Sequence, residues 1–322
     1  MARKSLRAGV VFLLAATLGL LLAQGQISVG EGSPDSVVLG LFVQAFARND
    51  FSANVSLPPK TKVRRVGPGY VQDFNDINTE RAYPWALVKP DSVEAVFQMC
   101  CEILTLHASI GSFTGQIAYP VGDPRSEIVS AVDGTLSTQQ NFEGGHAIVL
   151  HQGGTYLGQA FFVRNPYVTP WRAVPALGFP IGQERNTTSR FSTTGTQQDF
   201  QGGVIVQITS GARSGQLYTV SGPIYARYFQ IGAGSSFLGY PIGDEMTISG
   251  RQQQNFEGGL IEYTPGSGLP AEARAPVASV RIDAAPLSLQ VGNVVQRTAE
   301  VFDSLGNTVL GRPVTWTTSN RL

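Results

Sequence analysis

The side chains able to do acid–base, nucleophilic or metal chemistry are few. The histidines are His107, His146 and His151, and none pairs as H-E-x-x-H. No G-x-S-x-G elbow is present to expose a nucleophilic serine. "DFNDIN" (Asp73 to Asn78) sets oxygen ligands at alternating positions, like the start of a calcium loop. It lacks the sixth-position Gly and the closing Glu, so a solvated turn is expected there. What recurs instead is an aromatic beside a carboxylate. Tyr119, Phe179 and Tyr240 each precede a proline, and Asp123, Glu184, Asp244 and Glu245 follow within a few residues. A carboxylate can accept from sugar hydroxyls, and an aromatic face can stack on a sugar ring. The same pattern would also suit a ring in the core and a carboxylate capping nearby backbone. Because the ring recurs at one place in every copy, the core role is favoured. His107 is read as a packing residue, since it replaces an aromatic of other copies. Glycoside hydrolysis needs one pair of acids occurring once, and none stands out. No catalytic residue, metal ligand or cofactor is expected.

Those residues sit in a repeat. "LGFPIGQE" (Leu177 to Glu184) and "LGYPIGDE" (Leu238 to Glu245) share six of eight residues and start 61 positions apart. Extended backwards without gaps, they align with "ILTLHASIGSFTGQIAYP" (Ile103 to Pro120), which places His107, Tyr167 and Tyr228 at one position. After each turn comes "QQNFEGG" (139–145), "QQDFQGG" (197–203) or "QQNFEGG" (253–259). A frayed first copy carries "VQDFND" around Phe74, and the anchoring prolines fall at 58, 120, 180 and 241. Steps of 62, 60 and 61 residues are the mark of a solenoid, propeller or array. Ile224, Tyr228 and Ile231 have helical spacing, and Gly232 suits the end of that helix. The Phe of QxFxGG is expected to open a strand that Gly-Gly turns into a hairpin.

Stepping outward, Arg3, Lys4 and Arg7 precede an apolar run from Gly9 to Leu22, and Ala23-Gln24-Gly25 fits a small-x-small cleavage site. Residues 1–25 therefore read as an export signal, and no later segment is apolar enough to span a bilayer. Removing that signal, which holds three bases and no acids, leaves 20 Lys+Arg against 23 Asp+Glu. Such a chain lacks the basic footprint for nucleic acid or anionic lipid. Cys100 and Cys101 are adjacent, with Cα atoms closer than the usual disulfide range, so free thiols are expected. With 37 Gly and 19 Pro, short strands and frequent turns are favoured over long helices.

The repeated L-G-aromatic-P and QxFxGG elements resemble the LGFP repeat family of secreted bacterial envelope proteins, over roughly Val37 to Tyr263. In that family such repeats form noncatalytic modules that are thought to hold their proteins to cell-wall polysaccharide. The resemblance implies polysaccharide or peptidoglycan as partner and an extracytoplasmic, cell-surface location. Ala118 departs from the motif Gly, and the first copy lacks both the L-G step and Gly-Gly, as a terminal cap would. The expected fold is mainly β with short helices: tandem repeats of about 60 residues, which could close as a small propeller-like array. Their bounds are about 37–76, 97–155, 156–215 and 216–268. Residues 269–276, the end of a Pro-, Gly- and Ala-rich stretch from Thr264 to Pro276, read as a linker. Residues 277–322 alternate apolar and polar and resemble a bacterial Ig-like group 2 module, incomplete here, with Trp316 at its core position. A structural spacer or adhesin stalk, and less readily a wall-glycan hydrolase, are the competing functions.

Overall fold

The computed structural model of the chain describes residues 36–47, 55–56, 59–76, 84–283, 296–303, 306, 308–309 and 314–317. The expected signal segment, Pro58, the end of "DFNDIN" and most of the C-terminal segment lie outside those residues. The protein is mainly β, built of antiparallel sheets with a few short helices. The first sheet has the order β1 (Val55–Ser56), β3 (Gly69–Asp76), β4 (Pro84–Pro90), β5 (Phe97–Cys100), with β2 (Arg64–Arg65) also paired to β3. The second runs β6 (Arg125–Val129), β7 (Leu136–Phe142), β8 (His146–His151), β9 (Ala160–Val163). The third runs β10 (Arg185–Thr188), β11 (Thr194–Phe200), β12 (Gly203–Ile208), β13 (Leu217–Ser221). The fourth runs β14 (Met246–Ile248), β15 (Arg251–Phe256), β16 (Gly259–Tyr263), β17 (Glu272–Arg274).

Helix α1 (Ser36–Ala47) precedes the first sheet, and α2 (Cys101–Ser109), α3 (Val168–Ala173) and α4 (Gly222–Gln230) each follow a sheet's last strand. The sequence repeats therefore straddle the sheets. The unit 97–155 begins with β5, the last strand of one sheet, and then supplies β6, β7 and β8 of the next. Each of the second, third and fourth sheets is one run of consecutive strands, with the bound of a sequence repeat falling before its last strand.

Contacts divide the chain into two compact units. One reaches to Glu184 and includes Gln198–Gln201; the other holds Arg185–Gln197 and the residues from Gly202 onward. The core of the first packs Val71, Val88 and Met99 with Ile103, Phe142 and Ile148. Apolar residues of α1, Val38, Phe42 and Ala45, pack with Phe74 and Leu87. In the second unit Val204, Val206, Ile224, Tyr228, Phe256 and Ile261 play the same part. Ile224 and Tyr228, one turn apart on α4, turn the same face inward, as their spacing predicts.

The structure corrects four expectations. Phe142, Phe200 and Phe256 close strands β7, β11 and β15 and do not open them; the glycines then turn each hairpin. The rings are almost fully buried, as a core role requires. Cys100 and Cys101 are joined as a vicinal disulfide, which Cys101 accommodates with φ +59° at the start of α2. The stretch read as a linker contributes β17, which pairs with β16, and it buries Ala271 and Ala275. Trp316 is 51% exposed, because β18 (Ser279–Ile282) and β19 (Ala299–Phe302) form only a two-stranded ribbon among the described residues.

Candidate functional site

The recurring turn is the natural place to look, and its construction is the same three times. In each, a helical ring stacks on the strand-closing Phe: His107 on Phe142 at 5.4 Å, Trp171 on Phe200 at 6.3 Å and Tyr228 on Phe256 at 4.8 Å. Each ring also donates a hydrogen bond to the carbonyl of the turn's second residue. His107 Nε2 reaches Ala118 O at 2.7 Å, Trp171 Nε1 reaches Gly178 O at 2.7 Å, and the Tyr228 hydroxyl reaches Gly239 O at 2.8 Å. His107 is thus a packing residue that also binds the turn. In the third copy this place belongs to Trp171 and not to Tyr167, which the ungapped alignment had put there. Trp171 lies 7 residues before its carbonyl and the others 11, a difference of about one helical turn.

The residue after the Phe fixes the turn from the other side. Glu143, Gln201 and Glu257 accept the backbone N–H of Tyr119, Phe179 and Tyr240 at 3.3, 2.8 and 2.8 Å. The second Gln of each QQxF donates both amide hydrogens to carbonyls. Gln140 bridges Gln98 O and Gly122 O, Gln198 bridges Phe162 O and Gly182 O, and Gln254 bridges Thr219 O and Gly243 O. All three glutamines are buried, and each amide ties two backbone carbonyls together.

The turn also explains its glycine. Gly178 and Gly239 have φ of +65° and +66°, where an L side chain is strained. A Cβ on Gly178 would stand 2.5 Å from Gln201 Oε1, and one on Gly239 would stand 2.6 Å from Phe191 Cδ2. Ala118 occupies the same left-handed region at +49°. There the Glu143 bond is the long one of the three, which leaves room for the methyl group.

The structure scatters the six residues proposed to contact sugar. Tyr119, Phe179 and Tyr240 are 0%, 4% and 1% exposed. Buried rings cannot present a face to a sugar, and that role is withdrawn for all three. Tyr119 donates its hydroxyl to Val66 O at 2.5 Å, and Tyr240 donates to Thr187 Oγ1 at 2.7 Å. Burial pushes both phenols above their ordinary pKa. Asp123 lies partly exposed and accepts the Gln98 N–H at 2.8 Å, the capping role that competed with ligand binding. Glu184 grips Arg164 through two bonds of 2.7 Å, which raises the guanidinium pKa. Asp244 is exposed, and so is Glu245, whose carboxyl partial burial pushes up. These six belong to three successive turns.

Sequence reasoning missed Trp171, the bridging glutamines and the Glu/Gln after Phe. The last two were visible as fixed offsets from the Phe in the three copies that carry QQxF. A search of known protein families and a search of curated proteins find no match to this chain. No helix of the described residues is long and apolar enough to cross a membrane.

Proposed function

We propose that this chain is a noncatalytic, exported envelope module of LGFP-repeat type that attaches its protein to cell-wall polysaccharide or peptidoglycan. Its finer architecture would be four units of about 60 residues packed side by side, with an Ig-like module behind. The observation that carries the reading is the turn built three times with the same bonds. Copies held this alike present like surfaces at a regular step, and a regular step suits a repetitive polymer. Weak sites then add through effective concentration, by about 10²–10⁴ over one site.

Withdrawal of the three rings leaves polar and backbone groups as the contacts available on the turns. That withdrawal also favours a second reading, a spacer that presents distal domains and binds nothing itself. Co-sedimentation of the mature protein with purified cell wall, beside a control protein of similar charge, separates the two. Protein in the pellet supports attachment; protein that stays in the supernatant in every buffer supports the spacer.

A further inference from the structure

The loops at one end of the second sheet enclose a cleft of about 320 Å³, lined by Asp133, Thr135, His151, Gly154, Thr155 and Tyr156 among others. That volume lies at the small end of the ~300–1,000 Å³ usual for small-ligand sites. It suits a single sugar ring better than a long stretch of polymer. The polar wall is fixed in advance. Asp133 Oδ1 accepts from the backbone N–H and hydroxyl of Thr135 at 3.0 and 2.7 Å, and its Oδ2 accepts from Gln201 Nε2 at 2.8 Å. The same Gln201 nitrogen donates to the Thr135 hydroxyl at 3.1 Å. The Asp133 carboxyl loses solvation there, but the bonds from Thr135, Ser130 and Gln201 outweigh that loss and hold it ionised below its ordinary range.

The opposite wall is aromatic. Tyr156 is half-buried, with its ring centre 5.5 Å from His151 and 5.9 Å from Phe161. His151 is 1% exposed, and its Nε2 donates to Pro180 O at 2.8 Å. A carbonyl only accepts, so Nε2 carries a proton, which in the neutral imidazole leaves Nδ1 with its lone pair. That buried Nδ1 has no hydrogen-bond partner among the described residues. A buried acceptor left unmatched is costly, and unlike the equally unmatched Nδ1 of His107 this one belongs to a residue that lines a cleft. The third sheet does not repeat this set. One residue past Ile208 stands Thr209 where His151 follows Leu150, and Arg213 takes the place of Tyr156 in the next loop.

We propose that this cleft holds one neutral pyranose unit of the wall polymer, which rests on the reading of the chain as a wall-binding module. The sugar ring lies against Tyr156. Its hydroxyls bond to Asp133, Thr135 and Thr155, and one donates to Nδ1 of His151. The ligand is neutral because the cleft's fixed charge is a carboxylate.

The test follows the imidazole signals of the mature protein by NMR while methyl glucoside, mannoside and galactoside are added in turn to high millimolar concentration. With three histidines in the chain, a His151→Gln variant assigns the signal. The proposal expects one glycoside to shift the His151 resonances in a saturable way. It expects Tyr156→Ala and Thr155→Val to weaken that binding about tenfold, a loss of ~1.4 kcal/mol, with the melting midpoint of Thr155→Val unchanged. No shift with any of the three, or an unchanged affinity in Thr155→Val and Tyr156→Ala, overturns it. Co-sedimentation of Tyr156→Ala with cell wall tells the two readings apart. If the parent pellets and the variant pellets equally, the cleft assignment fails while wall attachment stands. If the parent does not pellet but a glycoside shifts His151, attachment fails and the cleft stands.

Discussion

Tyr119 is seated on Gly69: a Cβ at that glycine would stand 2.5 Å from the ring's Cζ. Tyr240 lies against Gly195 in the same way, at 3.3 Å from a Cβ that would also meet Gln207 O at 2.7 Å. Tyr119 and Tyr240 therefore fill the space of a missing side chain on a strand, whereas the second sheet carries Ser137 at that position. In the fourth sheet the corresponding strand position is Arg251, which is exposed. Gly69→Ala should destabilise the protein by about 1–3 kcal/mol through overpacking, whereas Arg251→Ala should stay within about 0.5 kcal/mol. Chemical denaturation of both variants decides it; equal effects would mean that the ring is not held by the glycine.

The stacked pairs carry the core. Phe200 has no exposed surface, and Phe200→Ala should cost about 3–5 kcal/mol. Trp171→Phe keeps a ring over Phe200 but removes the bond to Gly178 O, so a smaller loss of about 1–3 kcal/mol is expected. The order of the two midpoints is the readout. If Trp171→Phe were neutral while Tyr167→Ala had the large effect, the ungapped alignment would be right after all.

Sheet class, hairpins and buried Phe residues could be read from the sequence because they rest on local spacing. The glycines between Phe142 and His146 announce a turn, and the apolar run after them announces a strand. That each sequence repeat begins inside a sheet could not be read, because the repeat bounds came from motif spacing while the pairing runs through consecutive strands. The rings of Tyr119 and Tyr240 looked equally fit for a ligand or a core, since the residue that decides is a glycine tens of positions away. Trp171 was hidden because it stands four residues, about one helical turn, later in its repeat than His107 and Tyr228 do in theirs. The cleft beside His151 depends on loops that differ between copies, which an analysis of what repeats passes over.

Stability should fall on mild acidification. Burial pushes the His107 pKa below 6.5, against the pull of the Ala118 carbonyl, and burial with the nearby Arg164 charge does the same to His146. Below pH 6.5 the unfolded chain takes up protons that the folded chain refuses, so stability is full above that pH and is lost as pH drops. His107→Tyr, which copies the fourth unit's Tyr228, should flatten the dependence between about pH 6.5 and 5. Melting midpoints across that range check it, and an unchanged slope in the variant would refute the assignment to His107.

The segment after the fourth hairpin divides at a definite point. Strand β17 and the buried Ala271 and Ala275 belong to the second unit's core, whereas Val277 is 46% exposed. A chain ending at Pro276 should unfold cooperatively with nearly the parent midpoint. A chain ending at Gly268 loses the β16–β17 pairing and should melt well below it. Calorimetry of both truncations makes the comparison, and equal midpoints would restore the linker reading.

Wall binding should respond weakly to salt. Taking the expected mature chain, 20 bases face 23 acids, and the Asp133 cleft and the three turns offer hydrogen-bonding groups with little unpaired charge. Contacts of that kind do not depend on counterion release, whereas binding to an anionic polymer weakens steeply between about 10 mM and 1 M salt as the screening length falls from about 30 to 3 Å. The fraction pelleted with purified wall should therefore change less than twofold over that range. Phe179→Ala combined with Tyr240→Ala is not a binding test, because both rings are buried and their loss would unfold the turns. Thr155→Val, at an exposed rim position, removes one hydroxyl and leaves the core intact, so it is the variant to carry through the salt series. A steep loss of pelleting with salt in the parent would assign the contact to charge and overturn the neutral-sugar reading.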